Sequence, residues 1–179
     1  MPTTNPISIP AAQIKLTTTT IVLVRHADVT ASNNADPSLN NAGQLRALEL
    51  IHVLGQESFA AIYASEFQRT QQTIQPLAQQ LGINVKIIGD AAALVSDIKA
   101  HHTGQRIVVA GHSNTLPQII TAFGGGQVPA IPATEFDRLF VMTVTRLSGT
   151  TLHVGPIAVT LPDRTTTTVV RLQYGSVSP

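Results

Sequence analysis

The chain has 179 residues, is 43% hydrophobic and only 12% charged, carries a formal net charge of +1 and contains no cysteine. That length suits one α/β domain with a well-buried core. A disulfide framework, a thiolate metal site and a cysteine nucleophile are excluded, no basic stripe points to nucleic acid, and no apolar run reaches the roughly 18–20 residues of a membrane span.

Residues 1–18 read as an extended leader interrupted by Pro2, Pro6 and Pro10, and residues 19–179 as a single domain. The first 19 residues lack the basic and continuous apolar regions of a signal peptide. As written the chain is therefore expected in the cytoplasm, or in the periplasm or outside the cell where an export signal has been removed. Thr20–Val24 is a β-branched apolar run, expected as a strand buried on both faces. A polar loop follows from Asp28 to Asn41. Between Ala42 and Gln56 the apolar residues Leu45, Leu48, Ile51, Val53 and Leu54 recur at roughly helical spacing. Ala60–Ala64 reads as a second strand. Phe67–Leu81 reads as a helix closed by Gly82 and kinked at Pro76.

Val85–Ile88 reads as a third strand, Ala91–His101 as a helix, Arg106–Ala110 as a further buried strand, and Thr115–Phe123 as a helix stopped by Gly124-Gly125-Gly126. Beyond this point the pattern changes. Leu139–Val144, Thr151–Val154 and Thr167–Gln173 are strand-like and separated by turns such as Ser148-Gly149. There is no internal repeat. Strand–helix alternation followed by late hairpin-like strands predicts a single three-layer α/β domain, its central sheet mostly parallel with antiparallel edge strands.

Three of the strands end in unusual polar residues: Arg25-His26 after the first, Ser65 after the second with Arg69 shortly beyond, and Gly111-His112-Ser113-Asn114 after a later one. Open α/β sheets bind ligands beyond the carboxyl ends of their parallel strands, so these groups are expected in one crevice. Two arginines and two histidines brought together without an acidic cluster make an anion site. The planar guanidinium fork suits phosphate oxygens, and helix starts add N–H donors. A neutral imidazole in such a pocket can attack phosphorus and form a phosphoramidate that water then cleaves. Charge on the phosphoryl oxygens would be met by the surrounding cations.

Leu23-Val-Arg-His-Ala27, Asp36-Pro-Ser-Leu-Asn-Asn-Ala-Gly43, Tyr63-Ala-Ser-Glu-Phe-Gln-Arg-Thr-Gln-Gln-Thr73 and Gly111-His-Ser-Asn114 together resemble the histidine phosphatase superfamily, in the order that family uses. The likeness spans about residues 20–124. It implies the phosphoglycerate-mutase-like fold and a metal-independent phosphatase without cofactor. His26 would be the nucleophile, and Arg25, Arg69 and His112 would be phosphate ligands. Its substrate would be a phosphorylated small molecule or a phosphoprotein, phosphohistidine included. Ala27 replaces the glycine often found after the nucleophile, and the long insertion that closes over substrate in the mutases is absent. The family's general acid follows the second arginine. Asp90 and Asp97 are the only carboxylates between Arg69 and His112, and Asp90, just beyond a strand end, is the better candidate. Asp97 is expected mid-helix and facing solvent.

Ser32, Asn33 and Ser113 are further candidates for contact with the phosphate. Ser65 reads as a helix cap. His52, His101, His102 and His153 lack metal-ligand spacing with carboxylate partners. A rival reading takes Gly111-His-Ser-Asn-Thr115 as the nucleophile elbow of a serine hydrolase, with Asp137 and His153 following in the right order. It lacks the second glycine of that motif and leaves Arg25, His26 and Arg69 unused. A non-catalytic phosphate-binding module on the same fold is the third alternative.

Overall fold

A computed structural model describes residues 15–149, 151–154 and 157–178. Residues 1–14, most of the expected leader, lie outside that range. Six strands form one sheet. They are β1 (Lys15–Arg25), β2 (Ala61–Ala64), β3 (Val85–Ile87), β4 (Arg106–Gly111), β5 (Arg138–Ser148) and β8 (Arg164–Gln173), in the order β3-β2-β4-β1-β5-β8. β3, β2, β4 and β1 run parallel, whereas β5 is antiparallel to both β1 and β8. A separate hairpin, β6 (Thr151–Val154) with β7 (Ile157–Thr160), lies between β5 and β8 in the chain. The mostly parallel sheet with an antiparallel edge is the one expected.

The helices are α1 (Asn41–Leu54), α2 (Gln68–Leu81), α3 (Ala91–His101) and α4 (Thr115–Ala122). Alternate side chains of a strand point to opposite faces, and β1 divides its apolar residues accordingly. Ile21 and Leu23 join Leu94, Ile98, Leu116 and Ile120 of α3 and α4. Val22 and Val24 join Leu50, Ile74 and Leu77 of α1 and α2. Two cores on either side of one sheet give the three layers. β1 begins at Lys15, five residues before the expected Thr20 and inside the expected leader, because Lys15–Thr19 pair with β5. β7, unrecognised in the sequence, is short and exposed throughout. α2 continues through Pro76 and ends at Gly82, whose φ of 67° is the left-handed conformation glycine adopts without strain.

α1 forms where expected but buries a different face. Gly43, Arg46, Ala47, Leu50 and Leu54 point inward, while Leu45, Leu48 and Val53 are exposed. The inner face is dictated by the loop after β1. A Cβ at Gly43 would stand 2.0 Å from the Asp28 carbonyl oxygen, so only glycine admits this approach. Arg46, 5% exposed, donates from Nε to the Asp28 carboxylate at 2.7 Å and from Nη1 to the carbonyls of Tyr174 (3.2 Å) and Ser176 (2.6 Å). One buried guanidinium thus joins the loop after β1, helix α1 and the C-terminal segment.

Removing one partner of a buried ion pair leaves an uncompensated charge, at a cost of roughly 3–5 kcal/mol. Arg46→Ala is therefore expected to lower unfolding free energy by about that amount in urea titration. The exposed pair Arg106–Glu57, at 2.6 Å with both side chains nearly half exposed, gives the contrast. Glu57→Gln there should change stability by less than about 1 kcal/mol. Equal effects from the two variants would remove Arg46 from its place as the junction.

Candidate active site

Parallel pairing aligns the carboxyl ends of β1, β2 and β4. Arg25 stands opposite Gly111 and Ala64 opposite Ala110. The His26 N–H continues the ladder by donating to the Gly111 carbonyl at 2.9 Å. His26 and His112 consequently emerge side by side, their ring centroids 5.4 Å apart in an edge-on arrangement. They line a cavity of about 370 Å³ together with Ser65, Glu66, Phe67, Arg69, Gly89, Ser113, Asn114 and Thr115.

The His26 ring is oriented from behind. Nδ1 lies 2.9 Å from the Ala27 carbonyl oxygen. A carbonyl only accepts, so Nδ1 carries the proton and the neutral ring keeps its lone pair on Nε2. The next residue is held as well: the Ala27 N–H donates to Thr73 Oγ1 at 2.8 Å, and the Thr73 hydroxyl donates to the Arg69 carbonyl at 2.6 Å. Burial pushes the His26 pKa down to about 4, helped by the positive charges of Arg25, His112 and Arg69 and opposed by the bond to Ala27. The His112 pKa also falls to about 4, through burial first and the Arg69 charge second, with Glu66 opposing. Both imidazoles are neutral at pH 7. His112 Nε2 sits 2.8 Å from Ser65 Oγ, which in turn lies 2.8 Å from Thr70 Oγ1.

Ser65 therefore fixes His112. The expected capping role falls to Asp36, whose carboxylate accepts from the Gln68 N–H at 3.0 and 3.1 Å from the loop opposite. The same carboxylate stands 3.4 Å from Arg69 Nη1, which also donates to the Ala35 carbonyl at 3.2 Å. The Arg69 guanidinium lies 4.2 Å above the Phe67 ring.

Arg25 is buried and tied to a loop. Its Nη1 donates to the carbonyls of Pro132 and Glu135, both at 2.6 Å, and its Nη2 to that of Ala133 at 2.9 Å. Nε has no hydrogen-bond partner among the described residues. The guanidinium covers Phe136 at 4.3 Å from the ring centroid, and Phe136 leans on His26 at 5.7 Å. The C-terminal segment holds this loop from outside, because the Phe136 N–H donates to Ser178 Oγ at 2.8 Å.

The remaining expected residues divide. Ser113 lines the cavity. Asp90 does not line it: its exposed carboxylate caps α3 by accepting from the Ala93 N–H at 2.7 Å. Ser32 and Asn33 are exposed in the loop, where Ser32 Oγ accepts from the Asn34 N–H at 3.3 Å. Asp97 is not simply solvent-facing. Lys86 donates to it at 2.7 Å and Tyr63 at 2.6 Å, and these two bonds hold its pKa down to about 2. Asp137, the acid of the serine-hydrolase alternative, has its carboxylate buried against Gln173, Ser178 and Arg138. The His153 side chain lies outside the described residues. Among those residues no group of three His, Cys, Asp or Glu side chains is placed to hold a metal ion.

Glu66 and Phe136 were not singled out in the sequence. Glu66 directly follows Ser65 at a strand end, which was the available signal. Phe136 arrives from a loop 110 positions away in the chain, for which there was none.

Two histidines and two arginines thus stand beyond the strand ends of a mostly parallel sheet with the phosphoglycerate-mutase-like fold. Residues 21–92 match the profile of the histidine phosphatase superfamily (branch 1), so this part of the chain is similar to that superfamily. Solved structures agree on the fold. The native mycobacterial glucosyl-3-phosphoglycerate phosphatase superposes with a TM-score of 0.57 at 14% identity, over 70% of this chain and 90% of that one. The protein histidine phosphatase SixA complexed with tungstate gives 0.56 at 16% identity, over 70% and 86%. Mycobacterial hydrolase 1 gives 0.55 at 13%, over 79% and 100%. A search by sequence among curated proteins finds no match.

The His26 environment makes a direct prediction. In the folded protein its ring should titrate near 4, against about 6.5 for a free histidine. Phe136→Ala admits water beside the ring and should raise that value. Carbon-13 or nitrogen-15 NMR of the imidazoles measures both, and an unshifted His26 in the native protein would contradict the burial argument.

Proposed function

We propose that this protein is a phosphatase that hydrolyses a phosphomonoester or phosphohistidine through a covalent intermediate on His26. The observation that carries the reading is the state of that ring. It is neutral, anchored through Nδ1, and its free Nε2 shares a cavity with Arg69 and His112. Tungstate, found with the similar SixA structure, is a tetrahedral oxyanion of phosphate's shape. The similar structures are named for a phosphorylated small molecule and for protein histidine, and this chain's substrate is of one of those kinds.

In the first step Nε2 donates its lone pair to phosphorus, the N–P bond forms and the bond to the leaving oxygen or nitrogen breaks. Arg69 and His112 meet the negative charge on the phosphoryl oxygens, together with the unpartnered Arg25 Nε–H and the backbone around Ser113 at the start of α4. A water oxygen then attacks phosphorus from the side opposite the ring, its proton passing to the carboxylate that had protonated the leaving group. The N–P bond breaks, its electron pair returns to Nε2, and phosphate leaves with the water's oxygen. The two guanidinium charges and these hydrogen-bond donors are assigned the charge stabilisation, so the proposed reaction uses no metal and no cofactor. Ser32 and Asn33 take no part.

The leaving group needs a proton unless it is already a stable anion. Asp90 was the expected donor, but its carboxylate is committed to the N-cap, whereas Glu66 lines the cavity. General acids contribute roughly 10²–10⁴-fold, a benefit that an aryl leaving group largely forgoes. Glu66→Gln should therefore slow an alkyl phosphate far more than nitrophenyl phosphate, while Asp90→Asn should slow neither by that ratio. The reverse pattern restores Asp90 as the acid.

The decisive experiment is on His26. Wild-type protein treated with chelator should release phosphate from nitrophenyl phosphate, and rapid quench should trap an acid-labile, base-stable adduct on His26. His26→Ala should lose the adduct and about 10³-fold or more of the turnover. Near-normal turnover by His26→Ala, or activity abolished by chelator and restored by a divalent ion, would overturn the mechanism.

A further inference from the structure

A second cavity, of about 610 Å³, lies between α2 and the edge strand β3. Gln71, Gln75 and Gln79 recur every fourth residue and so line it as one face of the helix. The opposite wall is β3, whose Val85 and Ile87 face the cavity, whereas Lys86 points the other way to Asp97. None of the lining side chains is charged or aromatic. Among the described residues β3 pairs only with β2, so its outer backbone edge has no strand partner there, and Ile87 is 44% exposed.

This groove abuts the active-site cavity. Gln71 Nε2 donates to the Glu66 carbonyl at 2.8 Å, and Ile87 stands two residues before Gly89, while Glu66 and Gly89 both line the site. From Gln71 to Gln79 the helix rises roughly 12 Å at ~1.5 Å per residue. That length matches about three to four residues of extended chain at ~3.3 Å each.

We infer that this groove receives an extended polypeptide flanking the phosphorylated residue, so that the substrate class of the site proposed above is a phosphoprotein. The inference rests on that reading of the site. Main-chain N–H and C=O groups are neutral donors and acceptors in equal number. Primary amides, which both donate and accept, suit them better than charged side chains would. An open strand edge adds the ladder pairing through which extended peptides are held. A nucleotide would want an aromatic face for its base and an anionic sugar acid a cation, and the groove offers neither.

The experiment compares one phosphoryl group with and without flanking chain: free phosphotyrosine, and a decapeptide with a central phosphotyrosine. The wild type should have a KM at least tenfold lower for the peptide. Gln75→Ala/Gln79→Ala should raise the peptide KM several-fold with little change in kcat, leaving both constants for free phosphotyrosine and nitrophenyl phosphate as they were. Gln79→Trp, which fills the groove, should do the same. The unphosphorylated decapeptide should shift the side-chain amide signals of Gln75 and Gln79 in NMR spectra. Equal KM values for free and peptide-borne phosphotyrosine, or a peptide KM untouched by both variants, would overturn the groove's role while leaving the phosphatase reading intact. Absence of turnover on every phosphate together with those amide shifts would sink the phosphatase reading and keep the groove. Absence of both turnover and shifts sinks both.

Discussion

The backbone bond from the His26 N–H to the Gly111 carbonyl is the constraint from which the site follows. It extends the parallel β1–β4 ladder one residue past the strand end. The position after Arg25 and the position after Gly111 are therefore held level, which brings two histidines within ring contact although 86 positions separate them in the chain. β2 on the far side of β4 ends at the same height and supplies Ser65 to His112. Backbone geometry carries this precision, and side-chain bonds only finish it: Ala27 orients one ring and Ser65 the other.

Arg25 shows how one residue can belong to both fold and site. Its two terminal nitrogens hold three carbonyls of the 132–135 loop, and its flat face lies on Phe136, which shields His26. Among the described residues only its Nε lacks a partner. Loss of Arg25 would release the loop and let water reach His26, and on the proposed reading would also remove a phosphate donor, so its effect could not be partitioned among those causes. Asp36 is similar on the other side of the cavity, capping α2 and restraining Arg69 with the same carboxylate.

What the sequence disclosed follows this division. The buried strands were legible because short β-branched runs have few alternatives, and the strand-end residues because polar groups there interrupt an apolar pattern. The inward face of α1 was not. Gly43, Arg46 and Ala47 are buried by contact with the Asp28 loop, a tertiary demand that displaces Leu45 and Leu48 to the surface. Asp90 looked like an acid because it follows a strand, but the same position is the N-cap of α3, where a carboxylate has a local use. Phe136 and the Arg25 loop were invisible, since residues over 100 positions apart meet there without any motif to mark them.

Arg69 and two histidines face one cavity with Arg25 buried nearby, yet the histidines are held neutral by burial and by the arginine charges. For His26 that condition is constructive, because only the neutral ring has a lone pair to donate. For His112 it is reversible. Arg69 is the main charge that depresses it, and a phosphate dianion bound between them opposes that charge and favours the imidazolium. On the proposed reading, substrate arrival thus brings a proton onto His112 while His26, its Nδ1–H directed at the Ala27 carbonyl, stays in the tautomer that attacks. Two chemically identical side chains acquire different roles from a carbonyl behind one and a hydroxyl beside the other.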